Sequence, residues 1–302
     1  MRVTQNMLNS NMLYHLQRSN SSMNKYMDQL STGKKINKAS DDPVTAVRSM
    51  YYRSSLSEVE QFKRNLEDGL SWMSTTDEAL DQINTVVQRV RELTVQGLSD
   101  TNDSNDRRAI SEEIKQLKEH IGEISNSQIA GRYIFAGTDV KTPPYRVTAN
   151  DPSNQKEFIN NNQEKLELQV GQTNSIQINV LGTDVFNNDG EGGIFKVLTD
   201  IVNYFESSDG SNGESNHLDK LDSQINNILK ERSELGARMN RLELSTSKVE
   251  ALEVSTTKLL SSEEDVDISQ VIIDLKAQEN VHSAALSAGA RIIQPTLLDF
   301  LK

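Results

Sequence analysis

The sequence predicts a mainly α protein: a long antiparallel helical bundle or coiled coil formed by the N- and C-terminal segments, with a small β-rich domain inserted in the middle. Three observations predict it. Over both outer thirds of the 302-residue chain, apolar residues recur at alternating three- and four-residue steps, the spacing that puts them on one side of a helix. Apolar residues make up 35% of the chain and aromatic residues 5%, which favours long, thin helical packing over one thick core. Period-two alternation is confined to a middle stretch that also carries Pro143-Pro144, where a helix is excluded.

The first helix is expected over residues 4–30. Leu13, Leu16, Asn20, Met23, Met27 and Leu30 form its heptad seam, which Asn6 and Asn9 extend with polar positions. Gly33 fits a helix stop. Asp42 before Pro43 is a helix start, with a carboxylate at the cap and proline in the first turn. A long helix then runs to about residue 98. Val59, Phe62, Leu66, Met73, Leu80, Ile83, Val87 and Val90 share one seam, with Gly69 and Thr76 at its smaller positions. A polar loop at 100–104 leads to a third helix over 106–128, on Ile110, Ile114, Leu117, Ile121 and Ile124.

Next, Tyr133-Ile134-Phe135-Ala136-Gly137 reads as a strand with a turn. Leu166, Leu168 and Val170 alternate with polar residues, as do Ile176, Ile178 and Val180. These are two half-buried strands that residues 171–175 could join as a hairpin. A loop at 187–193 and a short helix over 194–205 follow. A long helix returns at about residue 218 on Leu218, Leu221, Ile225, Ile228, Leu235, Met239, Leu242, Val249 and Leu259, with Arg232 and Thr246 at polar points. Residues 261–267, with the run Glu263-Glu264-Asp265, are read as a solvated acidic break. The last helix is expected over 268–300.

This order divides the chain into three parts. Residues 1–40 and 263–302 are terminal helices, expected to become ordered on assembly. Residues 41–131 and 208–262 form a helical rod domain. Residues 132–207 form the β-rich outer domain.

The two ends carry opposite charge. Residues 1–40 hold Arg2, Arg18, Lys25, Lys34, Lys35 and Lys38 against Asp28, a net +5. Residues 263–302 hold Lys276, Arg291 and Lys302 against Glu263, Glu264, Asp265, Asp267, Asp274, Glu279 and Asp299, a net −4. Each exposed pair contributes roughly 0–1 kcal/mol, so the asymmetry speaks for pairing and orientation more than for strength. The first seam is sparse. Burying a Leu or Met contributes roughly 1.5–3 kcal/mol, against roughly 1–2 kcal/mol to fix each residue's backbone. Neither end is expected to fold well alone.

Several function classes are disfavoured. The chain carries 44 acidic and 32 basic residues, a net charge of −12, which repels a polyphosphate backbone; no nucleic-acid partner is expected. There is no cysteine, hence no disulfide, thiol catalysis or thiolate metal site. No apolar run reaches the ~20 residues needed to cross a bilayer, so no membrane insertion is expected. The first residues lack the apolar core of a cleaved secretory signal. His15, His120, His217 and His282 fall on separate segments without metal-ligand spacing, and residues 100–106 and 184–191 lack the ligand intervals of a calcium loop. No catalytic constellation is legible, so no enzyme activity, no cofactor and no metal are expected.

Residues 30–43, LSTGKKINKASDDP, together with residues 234–243, ELGARMNRLE, and residues 278–302 resemble the bacterial flagellin family over roughly both outer thirds of the chain. Gly33, Asn37, Asp41, Asp42, Pro43, Leu235 and Gly236 carry the motif. Pro43 directly after Asp41-Asp42, and Gly131-Arg132-Tyr133-Ile134-Phe135-Ala136-Gly137 followed by Thr142-Pro143-Pro144-Tyr145, are similar to the hook–filament junction group of that family, hook-associated protein 3. The resemblance implies a structural component of the flagellum that joins the hook region to the flagellin filament. It implies export through the flagellar type III apparatus without a cleaved signal, to the extracellular flagellum. It also implies polymerisation through paired terminal helices, on an assembly interface of Leu13, Leu16, Asn20, Met23, Met27, Leu30, Ile272, Leu275, Leu286, Ile293 and Leu297. Its implied partners are copies of itself in a ring, the first hook-associated protein, flagellin and an export chaperone. Two alternatives stay open: a flagellin filament subunit, and a secreted helical binding module.

Overall fold

The computed structural model describes residues 5–99, 103–147, 156–187, 193–207 and 214–292. Among these residues seven helices and six short strands follow in order: α1 (Gln5–Thr32), α2 (Pro43–Gly97), α3 (Ser104–Ser125), β1 (Gln128–Ile129), β2 (Arg132–Tyr133), β3 (Tyr145–Val147), β4 (Lys156–Phe158), β5 (Glu167–Gln169), β6 (Ser175–Gln177), α4 (Gly182–Phe186), α5 (Gly193–Glu206), α6 (Glu214–Glu264) and α7 (Ile268–Ile292). The expected class, helical ends around a small β-containing insertion, is the observed one. The strands form three separate two-stranded antiparallel sheets, β1-β2, β3-β4 and β5-β6.

The chain divides into two compact units, residues 59–251 and residues 1–58 with 252–302. The boundaries fall inside α2 and α6.

In the unit of residues 59–251, the seams of α2 and α6 behave as their spacing requires. Val59, Leu66, Met73, Thr76, Leu80, Ile83, Val87 and Val90 of α2 are buried, as are Leu221, Ile228, Leu235, Leu242 and Val249 of α6. The two helices run antiparallel. Arg91 grips Asp222 with Nε donating at 2.6 Å and Nη2 at 3.3 Å. Arg232 donates from Nε to Asp77 at 2.8 Å and also pairs with Asp81. That explains the polar point at 232. α3 opens on a capping box between Asp103 and Asp106, which satisfies orphan amides of its first turn, and it packs on α5.

The insertion shares the core of α2, α3 and α6 instead of making its own. Ile134, Phe135, Tyr145, Val170, Ile176 and Ile178 belong to one hydrophobic cluster with the helical seams. Gly69 marks a close approach, since a Cβ there would stand 3.0 Å from Leu168 and 3.3 Å from Leu242. Buried Asn179 completes the hairpin: its side chain accepts from Leu166 N at 2.9 Å and donates to the Glu164 carbonyl at 3.1 Å, while Arg238 of α6 donates to its carbonyl at 3.1 Å.

One local expectation is corrected. The strand expected over 133–137 is a strand only at Arg132–Tyr133. Ile134, Phe135 and Ala136 are all fully buried. The chain turns there, with Gly137 at φ 67°, so these three side chains enter the core from a turn and not from one face of a half-buried strand.

The second unit is built differently. Here α1 packs against α7, and none of the described residues of this unit belongs to the hydrophobic cluster. Among its described residues the buried apolar side chains are Ala46 and Val271.

Candidate functional site

The candidate site is this unit of paired ends. The line of half-buried and buried positions on α1 includes Met12, Leu16, Ser19, Met23, Tyr26 and Gln29, flanked by half-buried Asn9 and Ser22. On α7 the line includes Val271, Leu275, Gln278, His282, Ala285 and Gly289, flanked by half-buried Asp274 and Glu279. Both sets keep the three- and four-residue steps of a heptad, and the helices run antiparallel. Gln278 Nε2 donates to Ser19 Oγ at 2.8 Å, and the Met12 side chain lies over Gly289, where a Cβ would stand 1.7 Å from its terminal methyl carbon.

The expected seam residues therefore split. Leu16, Met23 and Leu275 are turned toward the partner helix. Leu13, Asn20, Met27, Leu30, Ile272 and Leu286 are exposed; Leu13 is 65% accessible, Leu286 50% and Ile272 44%. Reading large apolar residues alone put the seam one position off. The α1 line against α7 runs through Ser19 and Tyr26; at Ser19 a small side chain permits close helix approach where a pattern of bulky residues shows nothing. Ile293 and Leu297 lie outside the described residues.

Exposed apolar side chains concentrate here. Of the twenty large hydrophobic side chains exposed among the described residues, seventeen belong to this unit and three, Val95, Leu229 and Leu244, to the other. Besides α1 and α7, they include Val44, Val47, Met50 and Tyr51 at the start of α2 and Leu252, Val254 and Leu259 near the end of α6. Scattered exposed apolar residues are ordinary; a concentration of them marks a contact surface.

The motif of residues 30–43 forms the reversal between α1 and α2. Gly33 ends α1 at φ 68°, a conformation that glycine adopts without a Cβ penalty. The Asp41 carboxylate accepts from Lys38 N at 3.0 Å, and Asn37 Oδ1 lies 2.9 Å from the Thr32 hydroxyl. Asp42 caps α2, accepting from the amides of Val44 at 3.1 Å and Thr45 at 3.2 Å and from the Thr45 hydroxyl at 2.7 Å. The Thr45 hydroxyl, with those amides, holds this carboxyl below the usual range. Pro43 opens the helix, as its fixed φ favours. Leu235 and Gly236 do not join this group. They lie in the middle of α6 in the other unit, where Leu235 is fully buried and a Cβ at Gly236 would meet open space.

A charge knot that sequence reading missed ties this reversal to the one between α6 and α7. Glu264, its side chain only 4% accessible, receives Lys34 Nζ at 3.0 Å and Arg53 Nη2 at 2.5 Å. Lys34 also reaches Asp265 at 2.8 Å, and Arg48 meets Glu263 at 3.5 Å. Backbone bonds flank the knot: Lys35 N donates to the Glu264 carbonyl at 2.6 Å and Val266 N to the Gly33 carbonyl at 3.1 Å, making an antiparallel bridge between Lys34 and Asp265. Gln29 donates to the Lys35 carbonyl at 2.7 Å. Asp265 and Glu264 hold the Lys34 ammonium above the ordinary lysine value, and Lys34 with Ser261 holds Asp265 below the usual carboxylate range. The acidic run is thus not a solvated break at Glu264: this carboxylate is buried because two cations from α1–α2 accompany it.

The geometry defines a class. This is a helical fold with its hydrophobic core in residues 59–251 and most of its exposed large apolar side chains, among the described residues, on the paired ends. Residues 3–140 match the bacterial flagellin N-terminal helical region, and residues 218–301 the bacterial flagellin C-terminal helical region. The chain belongs to the bacterial flagellin family and is a flagellar structural protein. It is 29% identical over 300 residues to the flagellin of Bacillus subtilis, across 95% of this chain and 94% of that one. Its fold is similar to a flagellar hook-associated protein of Vibrio parahaemolyticus, with a TM-score of 0.66, 19% identity, and coverage of 74% of this chain and all (100%) of that one. It is also similar to the flagellar junction protein FlgL of Legionella pneumophila, with a TM-score of 0.58, 14% identity, and coverage of 72% and 100%. Among the described residues no helix is long and apolar enough to cross a membrane.

Proposed function

We propose that this protein is a hook-associated junction subunit of the flagellum, joining the hook region to the flagellin filament and assembling through its paired chain ends. The concentration of exposed apolar side chains on the paired ends carries the assembly reading, since burying them repays a partner's approach. The outward interface is Leu13, Asn20, Met27 and Leu30 of α1 with Ile272 and Leu286 of α7, continued by Ile293 and Leu297; Leu16, Met23 and Leu275 hold the two helices together beneath it. Residues 1–40 and 263–302 line the inner tube and complete their order on assembly. Residues 41–131 and 208–262 form the wall, and residues 132–207 face outward. The partners are further copies in a ring, the first hook-associated protein on one side and flagellin on the other, with a chaperone before export to the cell exterior.

The likeness to junction-protein folds favours the junction over the filament. A second reading, a filament subunit, is favoured by the end-to-end similarity to a flagellin. Two measurements separate them. In a deletion strain, the junction role predicts motility loss with flagellin shed as monomer; filaments that stay attached would overturn it. Electron microscopy of the purified protein is expected to show no long filaments, and their appearance would favour the filament subunit.

A further inference from the structure

We infer that the knot of Lys34, Arg53, Glu264 and Asp265 is a register lock, which fixes the residues of α1 that stand opposite α7 before the outward faces meet a partner. The seam itself is poorly suited to that task. Its α7 line runs through Gly289, Ala285, His282 and Gln278, and of the seam's large apolar residues Leu16, Met23, Tyr26 and Leu275 are only half-buried, with Val271 alone among the described ones buried. Small and polar heptad positions discriminate weakly between alignments displaced by one repeat, whereas a single buried polar group is the best-attested device for fixing register.

The knot supplies that discrimination. Sliding α7 and the end of α6 by one heptad along α1 would carry Glu264 about 10 Å from its cations. It would leave the carboxylate to find water or lose its charge, and would break both bonds of the backbone bridge. Only the observed alignment satisfies the charge and the bridge together. The consequence reaches the surface. Leu13, Met27 and Leu30 belong to α1, and Ile272 and Leu286 to α7, so they make one composite face in one register and a different face in any other. In this respect the inference rests on the assembly reading; the register itself is a property of the isolated chain.

Met12 and Gly289 report that register, and the native chain has no cysteine. The test is a full-length protein carrying Met12→Cys and Gly289→Cys, oxidised at dilution as a monomer and mapped by peptide mass spectrometry. A disulfide between the two introduced thiols is expected in this parent. Adding Glu264→Ala, or the isosteric Glu264→Gln, is expected to lower its yield about tenfold or more, because an uncompensated change at a buried ion pair is strongly felt. Glu264→Asp should recover part of the yield, and Lys38→Ala, at an exposed lysine of the same loop, should change nothing. Thermal unfolding of the residue 59–251 core is expected to stay the same in every variant, which separates lost register from lost folding. The inference is overturned by a parent that fails to crosslink, or by Glu264→Ala and Glu264→Gln proteins that crosslink as well as the parent. Attachment of filaments in cells is a separate readout, so the junction reading and the lock can fail independently.

Discussion

The unit of residues 59–251 and the unit of the two chain ends are built from the same helices, yet hold together by different means. Every member of the hydrophobic cluster, from Val59 to Val249, lies in the first unit. The second buries only Ala46 and Val271 among its described apolar residues, and shows seventeen large ones at its surface. Equal helicity therefore does not mean equal stability. A helix is held mainly by what its apolar face packs against, and the end unit has that face turned outward.

The sharpest way to break this comparison is a matched pair of truncations. Leu80 is fully buried, and Leu80→Ala is expected to cost about 2–5 kcal/mol in denaturant unfolding. Leu13→Ala should change that midpoint by less than about 0.5 kcal/mol, as at an ordinary surface site, while assembly with partner subunits, followed by sedimentation, is weakened. A Leu13→Ala protein as destabilised as Leu80→Ala would dissolve the distinction.

Glycines sharpen it next. A Cβ at Gly122 would stand 2.2 Å from the Tyr145 ring, which is stacked on Phe195 at 5.1 Å between centroids. Burial there pushes the Tyr145 phenol up to about 12. Gly122→Ala is expected to cost about 1–3 kcal/mol by overpacking. Gly236, with open space around it, should behave oppositely: Gly236→Ala gains up to about 1 kcal/mol of helix propensity, read as a raised thermal midpoint.

Buried carboxylates give a smaller contrast. In the core unit Glu231 is buried, with the exposed Lys230 at 3.4 Å, and burial, with the nearby Glu234 carboxylate, holds its carboxyl above the usual range. A raised folded value means that the protonated form favours folding. Its contribution is present below the unfolded value and lost as pH rises through the folded one. Glu231→Gln should therefore raise the melting midpoint slightly at neutral pH and flatten its rise on mild acidification.

Asp265 in the end unit has the opposite sign. Lys34 depresses its value, so its stabilisation is present above the unfolded aspartate range and lost as pH falls through the folded value. Lys34 has a raised value, and its share is present below the unfolded lysine range and lost as pH rises through the folded one. Amide protection at the α1–α2 and α6–α7 reversals should hold between those limits and fall outside them. Both side chains are well exposed, so this is the smallest effect. Unchanged protection in acid would remove Asp265 from the knot's stability.

Much of the fold was legible because helix spacing is local. Leu66, Met73, Leu80 and Ile83 are spaced as a seam and are buried as one, and Asp42-Pro43 starts the helix that its chemistry requires. Less was legible where partners decide. The segment of Ile134 and Phe135 has strand-forming residues but lies in the core as a turn. At the candidate site, apolar spacing found Leu16 and Met23 but not Ser19, and the motif search found Gly33 and Asp42 but not Lys34, Arg53 or Glu264. Lys34 and Asp265 are 231 residues apart in sequence, and no periodic pattern links them.

By itself, then, the sequence determined the helices, their heptad seams, the capped reversals and the opposite charge of the two ends, because each depends on residues within a few turns of one another. Tertiary structure alone decided which stripe of α1 meets α7, which apolar residues are left outward, and that an acidic run would bury one carboxylate between two cations. Burial and register are properties of pairs of segments, and a side chain's environment is set by whichever segment packs against it.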